Sequence, residues 1–303
     1  MRTVKFGQTI DGGIVITLGF MDCVHIGHRE LIGAAQRAAD GFNKSCGGAA
    51  VKTAAFTFCD NPFMVLKKDI LPVYDFETRV GLLETDYVVY AEFDAAFAAM
   101  SGEAFLDKLF LSADIKAVVV GSDYRFSANA ACGIAELKEY LSKRGASLIV
   151  ADTVTSGGVK AASSDIRRYL ADGDVRSANT LLGSHYRASG TVVKGTHTGT
   201  ALGFPTANVL HKTGLVRLKP GVYLTRTTVD GQDFGSVTNA GSRPTFDTAS
   251  PYIYETYIDG FCGDLYGKYI EIQFIGRIRD IEKFENKDAL IKRLEEDKQF
   301  IKK

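Results

Sequence analysis

Two histidines stand three apart in Asp22-Cys23-Val-His25-Ile-Gly27-His28, in a chain that has only five. Two imidazoles so placed can donate hydrogen bonds to phosphoryl oxygens, and their charge is adjustable near neutral pH. Gly27 lacks a Cβ, so the backbone there can come close to a ligand. The plainer alternative is a loop with two exposed histidines. Ser163-Ser164-Asp165-Ile-Arg167 puts hydroxyls and a guanidinium at the start of a helical pattern. That makes a second phosphate cradle, or an ordinary N-cap and first turn. A third group is Gly195-Thr196-His-Thr-Gly199 with Gly203-Phe-Pro205-Thr206-Ala-Asn208. A hydroxyl-rich loop bracketed by glycines can present N–H groups to phosphates. The Thr206 hydroxyl and Asn208 carbonyl are hard oxygen ligands suited to Mg²⁺. Pro-Thr-Ala-Asn is equally readable as a plain turn.

The elements around these groups say where they must sit. Ile14 to Leu18 is β-branched, apolar and too short for a helix, which suits a buried strand. From Arg29 the pattern becomes helical, with Leu31, Ile32, Ala35 and Ala39 on one face. The histidines therefore fall where a strand hands over to a helix N-terminus, whose free N–H groups and dipole attract anions. Further strands are expected over residues 53–58, 87–90, 117–121 and 147–151, with helices over 76–84, 101–111 and 133–144 between them. Alternation of this kind predicts a Rossmann-like α/β domain with a parallel sheet. Ligands in such sheets bind at the carboxyl ends of strands, and His25, Asn61 and Asp123 all follow strand ends. Residues 175–182 form a last amphipathic helix that Gly183 can stop, so the domain boundary is expected between residues 183 and 184. Beyond it, short β-rich runs separated by glycines predict a small closed β-barrel. A terminal helix capped by Asn286 follows, with Leu290, Ile291, Leu294 and Ile301 on one face.

Composition removes other classes. Acidic and basic residues balance at 36 each, which gives no support to a nucleic-acid footprint. The five cysteines show no CxxC pair and no metal-ligand spacing, so no metal cluster is expected, and they suit a reducing cytosol. No leader-like segment or membrane-length apolar run is seen, so a cytoplasmic protein without nucleic-acid or membrane partners is expected.

His25-x-Gly27-His28 resembles the HxGH signature of nucleotidyltransferases. Together with Phe58…Pro62, Val120-Gly-x-Asp123-Tyr-Arg125-Phe126 and Ser163-Ser164-x-Ile-Arg167, it follows the order of bacterial bifunctional riboflavin kinase/FAD synthetases. Residues 185–285 carry the more specific match: Leu202-Gly-Phe-Pro-Thr206-Ala-Asn208, Gly221-Val-Tyr223, Asn239-Ala-Gly-Ser-Arg243-Pro-Thr245, Glu255 and Asp264-Leu-Tyr-Gly-Lys268. The resemblance implies an N-terminal FMN adenylyltransferase over 1–183 and a C-terminal flavokinase barrel over 184–303. The implied partners are ATP with Mg²⁺, riboflavin, FMN, FAD and pyrophosphate, with flavin as substrate and product; the oligomeric state is left open. Carried over, His25 and His28 stabilise the transferring phosphoryl group, while Gly27, Ser163, Ser164 and Arg167 hold phosphates. Asp22, Asn61, Asp123 and Arg125 lie near flavin and nucleotide. In the second half Gly195, Thr196 and Gly199 cover the ATP phosphates, and Thr206 and Asn208 hold the metal. Asn239 and Arg243 lie near the flavin, and Glu255 is the general base.

The sequence departs from the family pattern at several positions, of which three matter most. Cys23 stands where a glycine is usual, Asn61 where a histidine is usual, and Asp165 where a threonine is usual. They motivate the alternative of a riboflavin kinase whose first domain is a degenerate flavin- or nucleotide-binding or regulatory module. A class I aminoacyl-tRNA synthetase reading of the two histidines lacks a lysine-rich second signature and a basic tRNA-binding domain.

Overall fold

The computed structural model describes residues 1–45, 50–195, 203–242 and 251–302. Thr196, Gly199 and Arg243, expected at the second site, lie outside the described residues. The chain divides into two compact units, Met1–Ser163 and Ser164–Lys303.

The first unit runs β1 (Arg2–Lys5), β2 (Gly13–Leu18), α1 (Ile26–Ser45), β3 (Lys52–Phe58), α2 (Pro62–Val65), α3 (Phe76–Leu82), β4 (Tyr87–Ala91), α4 (Ala95–Ala98), α5 (Gly102–Ser112), β5 (Asp114–Gly121), α6 (Ile134–Arg144), β6 (Ser147–Ala151), β7 (Thr155–Ser156) and β8 (Val159–Lys160). Six strands form one sheet in the order β1-β4-β3-β2-β5-β6. Each neighbouring pair is parallel. From β2 the chain steps to β3 and β4 on one side and to β5 and β6 on the other. The order therefore reverses between β2 and β5, the place where open α/β sheets bind ligands. Ile14, Val15, Ile16, Thr17 and Leu18 are all within 1% of full burial, as the centre of a covered parallel sheet requires. Phe6, Phe56, Phe97 and Phe105 form an aromatic cluster in which Phe56 meets Phe6 and Phe105, and Phe97 meets Phe105, edge-to-face.

The second unit contains α7 from its second residue (Ser163–Asp172), α8 (Val175–Leu182), then β9 (Tyr186–Val193), β10 (Thr206–Leu210), β11 (Gly221–Val229), β12 (Gln232–Ser242), β13 (Tyr252–Ile258), β14 (Tyr269–Arg279) and α9 (Lys287–Lys298). β9 to β14 close into a barrel in the order β10-β13-β12-β11-β14-β9. Part of its interior is polar. Thr225, Thr227, Ser236, Thr238 and Thr256 are fully buried or nearly so, and each satisfies its hydroxyl on another of the set. Gly183 ends α8 in the left-handed conformation, with φ 68°, as its glycine suggested.

The terminal helix differs from expectation. Its Leu and Ile residues are half-buried, and its one fully buried side chain is Asp297. Asp297 pairs with Arg279 of β14, with an Nη2–Oδ2 distance of 2.6 Å. Lys298 reaches the Tyr257 hydroxyl at 2.9 Å and Asp259 at 2.9 Å. Charged groups thus tie this helix to the barrel.

Candidate active sites

In the first unit, a cavity of about 400 Å³ opens at the carboxyl ends of β2 and β5. Its lining includes His25, Gly27, His28, Asp123, Lys160 and Ser163. The structure thus brings together five of the expected residues, from segments far apart in sequence. α1 starts at Ile26, three residues earlier than the periodicity predicts, because His25 caps it. His25 Nδ1 accepts the His28 backbone N–H at 3.2 Å, and His25 O accepts from Arg29 N at 2.9 Å. The two rings stack at 3.7 Å and 8°. With Nδ1 occupied as an acceptor, neutral His25 carries its proton on Nε2.

Burial holds both histidines in the neutral form. It pulls His25 down to about 4 and His28 well below its ordinary range, where the neighbouring His25 adds to the effect. A depressed histidine costs stability in acid. Between about pH 6.5 and about pH 4 the unfolded chain holds more protons than the folded one. Stability is therefore full above that window and falls as the pH drops through it. His25→Gln should flatten this part of a melting-temperature against pH curve, leaving the share due to His28. An unchanged slope would clear His25 of it.

The loop between β2 and α1 is strained and clamped. Met21 and Val24 adopt φ of 53° and 46°, the left-handed region that a β-branched valine rarely enters. Buried Arg79 of α3 donates to Phe20 O at 2.9 Å, Thr57 Oγ1 at 2.8 Å and Phe58 O at 2.7 Å. It therefore ties the loop after β2 to the end of β3. Sequence reasoning missed this residue: an arginine inside an amphipathic helix reads as surface. Arg79→Ala removes a large buried side chain and takes a donor from the buried Thr57 hydroxyl and two part-buried carbonyls. It should cost on the order of 4 kcal/mol in urea unfolding of the full chain; a loss below 1 kcal/mol would refute the clamp.

The other expected residues of this half sit in different settings. Asp22 is buried, and its Oδ1 accepts from Val73 N at 2.9 Å. Asn61 caps α2 through Phe63 N at 3.1 Å and donates to Ile70 O at 3.0 Å. Arg125 donates to Ala130 O at 2.8 Å. These three are not among the residues lining the cavity. Ser164, Asp165 and Arg167 lie in the first turns of α7, in the second unit, where Asp165 pairs with Arg168 at 3.0 Å. Lys160, unmarked in the sequence, lines the cavity and bonds Asp123 at 2.7 Å. That hydrogen bond holds the Asp123 carboxyl below its usual range. Lys160 stands at the end of a hairpin turned by Gly157 and Gly158, both at positive φ. That Gly-Gly pair was the available signal for the hairpin.

In the second unit Thr206 and Asn208 stand on a strand, not in a turn. β10 pairs with β13 on one side and β9 on the other. Asn208 lies opposite Glu255 of β13, and Glu255 lies opposite Asn239 of β12. Three expected residues thus form one row across three strands, on the face that also carries Thr206. The Thr206 hydroxyl donates to Glu255 Oε1 at 2.9 Å. Gly195 lies so close that a Cβ there would run into the Asn208 side chain. The result is a compact set of hard oxygen donors around one carboxylate, a setting that fits a divalent cation and a hydroxyl to be deprotonated.

Comparison with known proteins bears on both halves. A family model described as FAD synthetase matches residues 7–165, and one described as riboflavin kinase matches residues 182–303. The bifunctional riboflavin kinase/FMN adenylyltransferase of Listeria monocytogenes is 32% identical over 291 residues, covering 94% of this chain and 90% of that protein. The Bacillus subtilis protein of the same name is 31% identical, with the same coverage of 94% and 90%. Among solved structures, a Streptococcus pneumoniae chain described as a macrolide-efflux protein superposes with a TM-score of 0.87 at 26% identity, covering 99% of this chain and 98% of that one. Among the described residues, no helix is long and apolar enough to cross a membrane.

Proposed function

This chain belongs to the family of bifunctional riboflavin kinases/FMN adenylyltransferases, and we propose that residues 184–303 phosphorylate riboflavin to FMN and residues 1–183 adenylylate FMN to FAD. A family-model match on each half supports two activities rather than a kinase with a degenerate partner domain. The observation that carries the assignment of sites is the pair of separate constellations, His25/His28 at the sheet's switch point and Thr206/Asn208/Glu255 on the barrel.

In the barrel, Glu255 takes the proton of the ribityl hydroxyl as that oxygen attacks the γ-phosphorus of ATP. Phosphoryl transfer depends mainly on positioning and charge neutralisation, so one carboxylate beside the hydroxyl suffices. The family implies a divalent cation with ATP; we assign Mg²⁺, with Thr206 and Asn208 as its protein ligands. When bound, it neutralises phosphate charge. We assign Asn239, in the same row, and Arg243 to flavin binding, and Gly195, Thr196 and Gly199 to the nucleotide.

In the sheet domain, the FMN phosphate attacks the α-phosphorus of ATP and pyrophosphate leaves. His25 and His28, neutral at rest, donate N–H to the α-phosphoryl oxygens as charge builds on them. Gly27 keeps the first turn of α1 open to phosphate, and Ser163 offers its hydroxyl from the cavity wall. Lys160 is the lysine within reach of this polyanion, once it exchanges Asp123 for phosphate. The partners are ATP, riboflavin, FMN, FAD and pyrophosphate, and the chain works in the cytoplasm.

A product assay tests the reading. Purified protein with ATP and Mg²⁺ is given riboflavin in one reaction and FMN in another, and the flavins are separated by chromatography. FAD is expected in both. FMN from riboflavin with FAD in neither would refute adenylyl transfer and restore the kinase-only alternative.

A further inference from the structure

The histidine pair has a third neighbour that adenylyl transfer does not use. Cys23 is fully buried beside it, with its sulfur 3.3 Å from Ser163 Oγ on the cavity wall. One ligand atom from each of Cys23, His25 and His28 lies within 4.8 Å of the other two. We propose that Cys23, His25 and His28 form a binding site for a soft divalent ion of the zinc class, and that an ion held there stops FAD formation.

The donor set decides the class of ion. A thiolate and two imidazoles select zinc-like metals, whereas Mg²⁺ prefers oxygen and gains little from sulfur. The ATP-bound cation therefore does not compete for these ligands. A tetrahedral zinc ion with bonds of about 2.0–2.3 Å needs its ligands roughly 3.3–3.8 Å apart. The trio can close to that spacing through rotation of the His28 imidazole about χ2, a soft torsion, and of the Cys23 thiol about χ1. His28 Nδ1 is buried and has no hydrogen-bond partner among the described residues, so turning that ring breaks no bond at that atom. On His25, Nε2 remains available while Nδ1 keeps the helix cap. Binding displaces the thiol proton to solvent. Three protein ligands leave a fourth position for water or a phosphate oxygen, and the cavity lined by both histidines provides the entry.

The consequence for activity rests on the adenylyl-transfer reading above; the binding itself does not. An ion that takes a nitrogen from each histidine removes the donors meant for the α-phosphate. The barrel site contains none of these ligands, so FMN formation continues.

Co²⁺ is the probe for the site. Titrated into the full-length protein, it should give one Cys23-dependent thiolate-to-cobalt charge-transfer band with tetrahedral d–d bands, reversed by Zn²⁺. Cys23→Ser and Cys23→Gly should both lose that band, which also separates it from signals of the other cysteines. In the activity arm, Zn²⁺ at constant Mg²⁺ and ATP should inhibit FMN-to-FAD conversion at least tenfold more strongly in the wild type than in either variant. Riboflavin phosphorylation should show no such difference. A missing band, or one that survives in both variants, overturns the site. A Cys23-dependent band with unaltered FAD synthesis overturns the inhibitory role. Absence of FAD from the wild type given Mg²⁺ and ATP without zinc counts against adenylyl transfer, and the cobalt spectrum still judges the site.

Discussion

His28→Ala should stop FAD formation from FMN, by roughly 10²–10³-fold or more, while leaving riboflavin phosphorylation at its wild-type rate. The magnitude follows from the loss of one preorganised donor to a developing phosphoryl charge. Burial keeps His28 neutral, so it enters the reaction as an N–H donor and not as a standing cation. Its ring stacks on His25 at 3.7 Å, so the two present their N–H groups to one position. His28 is a cleaner target than His25, whose Nδ1 also caps α1 through the His28 amide. Losing that cap adds about 1 kcal/mol of destabilisation that would blur a kinetic result. Separated flavin products with each substrate check the expectation. Loss of both activities would contradict two sites, and retention of FAD synthesis would remove His28 from the chemistry.

Much of this arrangement was legible in the sequence, for identifiable reasons. The run Ile14–Leu18 is fully buried on both faces, and such a run has no competing helical pattern to obscure it. The β-rich runs between glycines become the barrel strands, among them Gly221–Val229 and Tyr252–Ile258. β10 reads as a turn because Gly203, Pro205 and Asn208 are turn-forming types, and its pairing with β13 and β9 comes from barrel closure. β1, at the sheet edge, is four residues long and mostly exposed, so no period could mark it. At the site, His25, Gly27 and His28 declared themselves by spacing. Lys160 and Arg79 did not, since their roles come from partners remote in the chain: Asp123 for one, and the carbonyls of Phe20 and Phe58 for the other. Cys23 stood out as a departure from a family pattern, but only the fold sets its sulfur beside both imidazoles.

Glu255→Gln should lower the turnover of riboflavin phosphorylation by about 10²-fold or more, with the KM for ATP nearly unchanged. The geometry makes this a test of basicity rather than of structure. Glu255 Oε1 accepts from the Thr206 hydroxyl at 2.9 Å, and a glutamine oxygen can accept the same bond. The row Asn208–Glu255–Asn239 is fixed by strand register, which an isosteric side chain does not disturb. What glutamine cannot do is take the proton of the attacking hydroxyl. The dissociative character of phosphoryl transfer limits how much that proton matters, which places the effect near the lower end of the range for general bases. Thr206→Val makes the contrast. It removes the proposed metal ligand and the partner of Oε1 but leaves the carboxylate in place, so its main loss should appear in the KM for ATP and in the divalent-ion requirement. Turnover of Glu255→Gln within a few-fold of wild type would exclude Glu255 as the base and leave positioning by Thr206 and Asn208 as the barrel's contribution.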